Sequence, residues 1–395
     1  MRVLYLSPYF WPEEIGSAPY CTDLALWLRN QGQDVRVVAF RPHYPSSERF
    51  VSWADGSRDR EEFEGIPISR VPIGGRRSAG FKDRLKNDLA FLWRVWRMAF
   101  RGEFKGTEAV IAYVPSTLTL YASFVVKSLT GARIVAVVHD IESGLAHSLG
   151  LTNGALSRLI VLAERFGLNR ADHVVVLTDG MKEELRRIGC KKPVDVLPIW
   201  SPPPPVSAPP PEADTVLMYS GNFGKKQNLE QLLPLFQRLS RENGGVRIVL
   251  RGDGQEWKTF KTRIESAGIA NAAFLPLAPQ AELMASLQSA NIHIVPQATN
   301  VANYSIPSKV FSIMAAGRPF ICIAAKDSPL DELARRSGAG ICVQPASDDV
   351  LYQAVVGLSD DPMRQRAMGE AGRDFVATHM NKQTIMQAYE ALIRA

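Results

Sequence analysis

The sequence predicts an α/β protein built from two tandem domains, each a parallel sheet covered by helices. Three observations carry that expectation. Short apolar runs alternate with stretches of helical period along the chain, the pattern of a sheet wrapped on both faces. The alternation breaks once, mid-chain, at Pro198-Ile199-Trp200-Ser201-Pro202-Pro203-Pro204-Pro205 and Pro209-Pro210-Pro211, then resumes with the same grammar. And 395 residues are too many for one hydrophobic core and comfortable for two.

In the first half, strands are expected at 3–7, 35–40, 110–114, 134–138 and 174–177. Helices are expected at 18–30, 81–101, 156–168 and 181–188, and Gly32 stops the first. Proline forbids helix and central strand alike, so 199–213 reads as an extended, semi-rigid connector. Beyond it, strands at 215–219, 246–250, 272–276, 292–295, 320–323 and 340–343 surround a helix at 229–242. Asp360-Asp361-Pro362 starts a late helix, and 380–395 forms an amphipathic one. The expected domains are therefore 1–198 and 214–395, with the last helix able to pack back on the first. Ligands of such sheets bind at the carboxyl ends of the strands. Two facing sheets would make one central cleft there.

Composition narrows the class. The chain is 46% hydrophobic and 22% charged, as ordinary soluble proteins are. The net charge is +6, and residues 1–198 hold most of it, with 27 basic and 22 acidic side chains. A basic half suits phosphates, an anionic membrane face or nucleic acid. Cys21, Cys190, Cys322 and Cys342 lack the short spacings of metal or redox motifs. Cys322 and Cys342 read as core, and a reducing compartment is the simplest fit. Met1–Pro8 reads as a first strand rather than a signal peptide, and no window has the uncharged apolar length of a membrane span. A cytoplasmic protein is expected.

Four stretches can carry chemistry. Gly16-Ser17-Ala18-Pro19 leaves the first strand and opens the first helix. Ser17 can cap that helix, Pro19 tolerates its first turn, and Gly16 lets a ligand approach the backbone. A capped turn without a ligand fits equally well. Val138-His139-Asp140-Ile141-Glu142 ends an apolar strand in polar groups, where alternation would set His139 and Ile141 opposite Asp140 and Glu142. His139 beside Asp140 can hold or polarise a hydroxyl; a capping Asp and a satisfied His are the plainer alternative. Gly221-Asn222-Phe223-Gly224-Lys225-Lys226 runs from a strand into a glycine-rich turn ahead of a helix, a cradle for a diphosphate or else a solvated basic turn. Pro307-Ser308-Lys309 opens a helix that Gly317 closes. That would put Ser308 and Lys309 at the positive end of its dipole, facing either a phosphate or solvent.

These landmarks, with Arg251-Gly252-Asp253-Gly254, Ala290-Asn291-Ile292-His293 and Met314-Ala315-Ala316-Gly317-Arg318-Pro319, resemble glycosyltransferase family 4 in order and spacing over nearly the whole chain. Lys226-Gln227 and the Pro307-Ser308-Lys309 triplet look most like the branch that contains the colanic-acid-type fucosyltransferase. The resemblance implies the GT-B fold, with two Rossmann-like domains facing a central cleft. It implies a retaining, metal-independent hexosyltransferase without a cofactor, moving a sugar from a nucleotide-diphosphate donor to a saccharide or lipid-linked acceptor in surface polysaccharide synthesis. Nucleic acid is not an expected partner. Donor contacts would come from Gly16, Ser17, Gly221, Asn222, Lys226, Ser308, Lys309 and Ser312, and catalytic contacts from His139 and Asp140. Asn222 stands where the family usually has Arg, and Tyr304 and Ser312 stand at its two usual glutamates. Those departures motivate a second reading, a nucleotide-sugar-binding protein that has lost catalysis. A third, a dinucleotide oxidoreductase, lacks the glycine fingerprint and its ribose acid.

Residues 81–101 combine Leu85, Leu89, Leu92, Trp96 and Phe100 at helical spacing with Lys82, Lys86, Arg94, Arg97 and Arg101. Such a helix lies on an anionic bilayer or packs on a core with its charges solvated. The first case gives a peripheral contact at the inner membrane face.

Overall fold

The computed structural model describes residues 1–14, 16–43, 47–74, 81–144, 154–200, 214–242, 245–301, 304 and 306–395. Most of the expected proline connector, 201–213, lies outside them. The chain divides into two compact units, Met1–Pro198 with Gln383–Ala395, and Ile199–Lys382.

The first unit holds β1 (Arg2–Leu6), β2 (Asp34–Phe40), β3 (Arg60–Phe63), β4 (Ile66–Val71), β5 (Ala109–Tyr113), β6 (Arg133–Val138), β7 (His173–Val176) and β8 (Val194–Val196). They form one sheet in the order β3-β4-β2-β1-β5-β6-β7-β8, parallel throughout except for β3 against β4. Burial on both faces explains why β5 and β6 read as unbroken apolar runs. The helices α1 (Ala18–Asn30), α2 (Phe81–Phe100), α3 (Thr117–Thr130), α4 (Gly154–Leu168) and α5 (Asp179–Arg187) make the crossovers. Gly131 ends α3 at φ 75°, its N–H bonding the Lys127 carbonyl at 2.8 Å. Strand order reverses between β1 and β5, so the crossovers after those strands part and leave a gap at their carboxyl ends.

The second unit is a six-stranded parallel sheet in the order β11-β10-β9-β12-β13-β14. Its strands are β9 (Thr215–Asn222), β10 (Val246–Asp253), β11 (Ala272–Leu275), β12 (Ile292–Pro296), β13 (Phe320–Ile323) and β14 (Gly340–Val343). Its helices are α6 (Leu233–Glu242), α7 (Trp257–Ser266), α8 (Leu283–Gln288), α9 (Lys309–Ala315), α10 (Pro329–Ser337), α11 (Asp348–Ser359) and α12 (Pro362–His379). Asp361 caps α12 by accepting from the Arg364 N–H at 2.9 Å. Leu217, Tyr219, Phe236, Leu250, Ile294 and Val355 belong to its core. Here order reverses between β9 and β12. The last helix, α13 (Lys382–Arg394), falls almost wholly in the first unit, where Arg133 donates to the Arg394 carbonyl at 2.9 Å.

β9 and β10 stay paired to their ends, Gly221 beside Gly252 and Asn222 beside Asp253. Gly252 sits at φ 154°, and a Cβ there would stand 1.8 Å from the Gly221 carbonyl oxygen. No side chain fits that approach. Gly252→Ala should destabilise the protein by about 3 kcal/mol or more, measured by denaturant unfolding.

Candidate active site

In the first unit, the loop after β1 is held from below. Arg70 on β4 is fully buried, pairs with Glu61 at 2.6 Å and donates to the Trp11 and Phe40 carbonyls. Trp11 N–H in turn donates to the Thr22 hydroxyl of α1 at 2.9 Å. These contacts fix both ends of the turn that presents Gly16, at φ 69°, and Ser17. The expected side-chain cap by Ser17 does not form. Ser17 has helical dihedrals, so its hydroxyl is not aimed at the first-turn amides; it bonds the Tyr113 hydroxyl at the end of β5 instead. Tyr113 meets His139 edge to face, ring centroids 4.9 Å apart. Three strand ends thus converge on Tyr113.

His139 and Asp140 are half-buried. Loss of hydration drives the His139 pKa down to about 4, against the pull of Asp140. At neutral pH the ring is uncharged, so it can orient a hydroxyl but cannot deliver a strong positive charge. The expected alternation along 138–142 fails because β6 ends at Val138, after which the chain bends and Ile141 turns into the core.

Behind His139 lies a carboxylate network that the sequence reading missed. Glu164 of α4 is 2% exposed and accepts from the Glu142 N–H at 2.9 Å, the Ser143 N–H at 3.3 Å and the Ser143 hydroxyl. Glu142 accepts from the Thr117 N–H at 2.6 Å, at the start of α3. Asp88, 9% exposed, bonds Ser116 and lies near Arg84, which donates to the Pro115 carbonyl. Burial lifts Asp88 to about 6 and Glu164 to about 7. Burial opposes the Arg84 charge, but Tyr9, Asp88, Glu142 and Asp140 outweigh it and hold the guanidinium above its usual value. The signal for Glu164 was a lone acid opposite the exposed leucines of its helix.

In the second unit, Gly221 and Asn222 end β9 beside the reversal. Lys226 follows, its carbonyl accepting from the Ala298 N–H beyond β12 at 2.9 Å, which stitches the two crossovers together. Ser308 and Lys309 open α9 as expected, but neither directs its polar group at the helix start. α9 has seven residues, Ser308 is exposed and makes no side-chain cap, and the Lys309 head turns away to β9. Its ammonium lies 3.8 Å from the Tyr219 ring centre and 2.9 Å from where a Cβ on Gly221 would stand. It is buried without a hydrogen-bond partner among the described residues, and desolvation lowers its pKa to about 7. Ser312, half-buried, shares a helix face with Lys309. The structure therefore brings Gly221 and Lys309 together, leaves Asn222 exposed at the strand end, and leaves Ser308 outside.

The model for the glycosyl transferase 4-like domain matches residues 16–200, and that for glycosyl transferases group 1 matches 205–375. The chain belongs to glycosyltransferase family 4. Within the family, it is 26% identical over 377 residues to the Escherichia coli K12 protein named as a colanic acid biosynthesis glycosyl transferase, WcaI, covering 90% of this chain and 91% of that one. Sucrose-phosphate synthase from Thermosynechococcus elongatus superposes with a TM-score of 0.80 at 16% identity, covering 100% of this chain and 98% of that one. Anabaena HepE, solved in complex with UDP-glucose, gives 0.68 at 14% identity, with full coverage of both. These likenesses give this family-4 glycosyltransferase the GT-B fold, two parallel-sheet domains of mixed α/β content. Among the described residues, no cluster of metal-ligating side chains occurs and no helix is long and apolar enough to cross a membrane.

Glu164 and Asp88 set a pH dependence. A carboxyl whose folded pKa is raised holds its proton more tightly folded than unfolded. The stability it contributes is present at low pH and is lost as pH rises from the ordinary carboxyl range toward about 6 to 7. Denaturation free energy should fall across that window. Glu164→Gln should flatten the dependence and, by turning an amide donor toward donors, destabilise the protein by about 1–3 kcal/mol.

Proposed function

We propose that this family-4 glycosyltransferase moves a sugar, with retention at the anomeric carbon, from a nucleotide-diphosphate sugar to a saccharide or lipid-linked saccharide in surface polysaccharide synthesis. The observation that carries the reading is the Lys309 ammonium. A buried cation without a hydrogen-bond partner, at the carboxyl end of a strand beside a glycine, is a site prepared for an anion. The donor diphosphate rests on Lys309, Lys226 and the backbone at Gly221, with Asn222 and Ser312 beside it; Ser308 is an outer contact.

As the sugar–phosphate bond breaks, negative charge grows on the departing phosphate, where the lysines stabilise it. The acceptor oxygen bonds to the anomeric carbon from the same face, and its proton passes to the leaving phosphate oxygen. Neutral His139, steadied by Tyr113 and Asp140, orients a sugar hydroxyl. Lysine charge neutralises the phosphates, so the reading calls for neither a metal nor a cofactor. The solved relative with UDP-glucose and the relative named for colanic acid biosynthesis support a nucleotide sugar and a polysaccharide product. The basic helix at 81–101 fits a lipid-linked acceptor at the inner membrane face.

Lys226→Ala should abolish binding across a panel of sugar nucleotides, measured by calorimetry; unchanged affinity sinks the donor site. Lys309 adds a pH signature. Its free ammonium loses its proton above about 7, while a bound diphosphate retains it. Donor affinity should therefore weaken between pH 7 and 9, by up to about tenfold per unit, and Lys309→Met should remove both the affinity and the slope. The second reading, a lapsed donor-binding protein, is favoured by Tyr304 and Ser312 where the family carries glutamates. Tight donor binding without turnover against any acceptor would establish it.

A further inference from the structure

The helix α4 is turned inside out. Its buried positions include Ser157 and Glu164, while Leu159, Leu162 and Phe166 are 61%, 58% and 48% exposed. The network around Glu164 fixes that orientation, because the three donors it satisfies lie inward. A helix held this way presents its leucines to the outside, where water alone gives them no return.

The same exposure continues across two neighbouring helices. On α2 the core seam is Phe91, Val95 and Met98, so the single apolar stripe expected along 81–101 is split. Leu92 is buried, whereas Leu89, Trp93 and Phe100 face outward, at 40%, 66% and 69% exposure. α3 joins the two. Trp96 donates to the Tyr121 carbonyl, and the Tyr121 hydroxyl donates to the Ala163 carbonyl of α4 at 3.1 Å. Trp93 lies 5.8 Å from Trp96, and Tyr121 stacks on Phe166 at 6.0 Å. The outward side chains of α2 and α4 therefore flank a continuous aromatic bridge.

Charge selects the occupant. From Leu89 to Phe100, and through all of α3 and α4, the only acid is Glu164, and it is buried. Arg94, Arg97, Arg158 and Arg165 lie on the same three segments, whereas Lys127 is paired with Asp172 at 2.6 Å. A second copy of the chain would bring the same cations together across a twofold interface, at a repulsive cost. An anionic bilayer accepts leucine and tryptophan at the acyl boundary and neutralises arginine at the headgroups. The geometry points to the α2–α3–α4 face as a docking surface for an anionic lipid bilayer. This deepens the membrane contact suggested for 81–101 and is independent of how the donor is gripped.

The test is co-sedimentation of the full chain with vesicles of phosphatidylcholine alone and of phosphatidylcholine with about a third phosphatidylglycerol. The wild type should bind the anionic vesicles, and high salt should release much of it. Leu159→Glu with Leu162→Glu on α4, and separately Trp93→Glu on α2, should each cut binding by about tenfold or more, with unfolding midpoints unchanged because the positions are exposed. Absence of binding to anionic vesicles overturns the proposal, as does binding that the α2 variant weakens while the α4 variant leaves it at the wild-type level. A concentration-dependent dimer broken by the α4 variant, without vesicle binding, would assign the face to self-association instead. No donor or transfer enters these readouts, so a failed donor assignment and a failed surface remain separable.

Discussion

Parallel strands cannot be joined by tight turns, so each is followed by a crossover that must choose a face of the sheet. Where successive crossovers choose opposite faces, backbone leaves the strand ends in diverging directions and nothing of the sheet itself fills the space between. This chain meets that constraint twice, at β1 beside β5 and at β9 beside β12. The groups assigned to chemistry stand at or near these two places. Ser17 and Tyr113 come from the first reversal, with His139 one strand away. Gly221 and Lys226 come from the second, with Lys309 reaching in from α9.

The two units treat buried charge in opposite ways. Glu164 is surrounded by donors of its own chain, and the result is order: its carboxyl group ties the bend after β6 to the seat of α4, and the neighbouring Glu142 holds the start of α3. Lys309 has an aromatic ring and, among the described residues, no acceptor, and its shifted pKa expresses a deficit that an incoming anion removes. The first arrangement spends polarity on positioning; the second holds it back for a ligand. The loop after β1 shows positioning again, with Arg70 fastening Trp11 so that Gly16 and Ser17 are presented by a braced turn.

Much of the fold was legible because parallel strands buried on both faces leave long apolar runs, as at β5, β6 and β12. The β3–β4 hairpin was not, since Arg-Glu-Glu-Phe in β3 and the buried Arg70 in β4 break the apolar signal. The glycines at the ends of β9 and β10 were readable from the sequence, because only glycine permits the approach of Gly252 to Gly221. Lys309 was singled out, but for its place at a helix start rather than for the reach of its side chain across to β9, which depends on tertiary packing. Tyr113, Arg70, Asp88 and Glu164 went unread for the same reason: each acts on groups distant in sequence.

The assignment of Gln383–Ala395 to the first unit bears on how the molecule comes into being. That unit is discontinuous in sequence, with the whole second unit spliced into it as an insertion. A ribosome releasing the chain from its amino end therefore exposes the first sheet long before Tyr389 and Ile393, buried in the finished protein, have been made. Until then the nascent sheet has an open seat, and its maturation waits on the synthesis of α13. For the same reason, cutting at residue 198 does not isolate this unit; recovering it alone requires the terminal helix to be spliced back by a short tether.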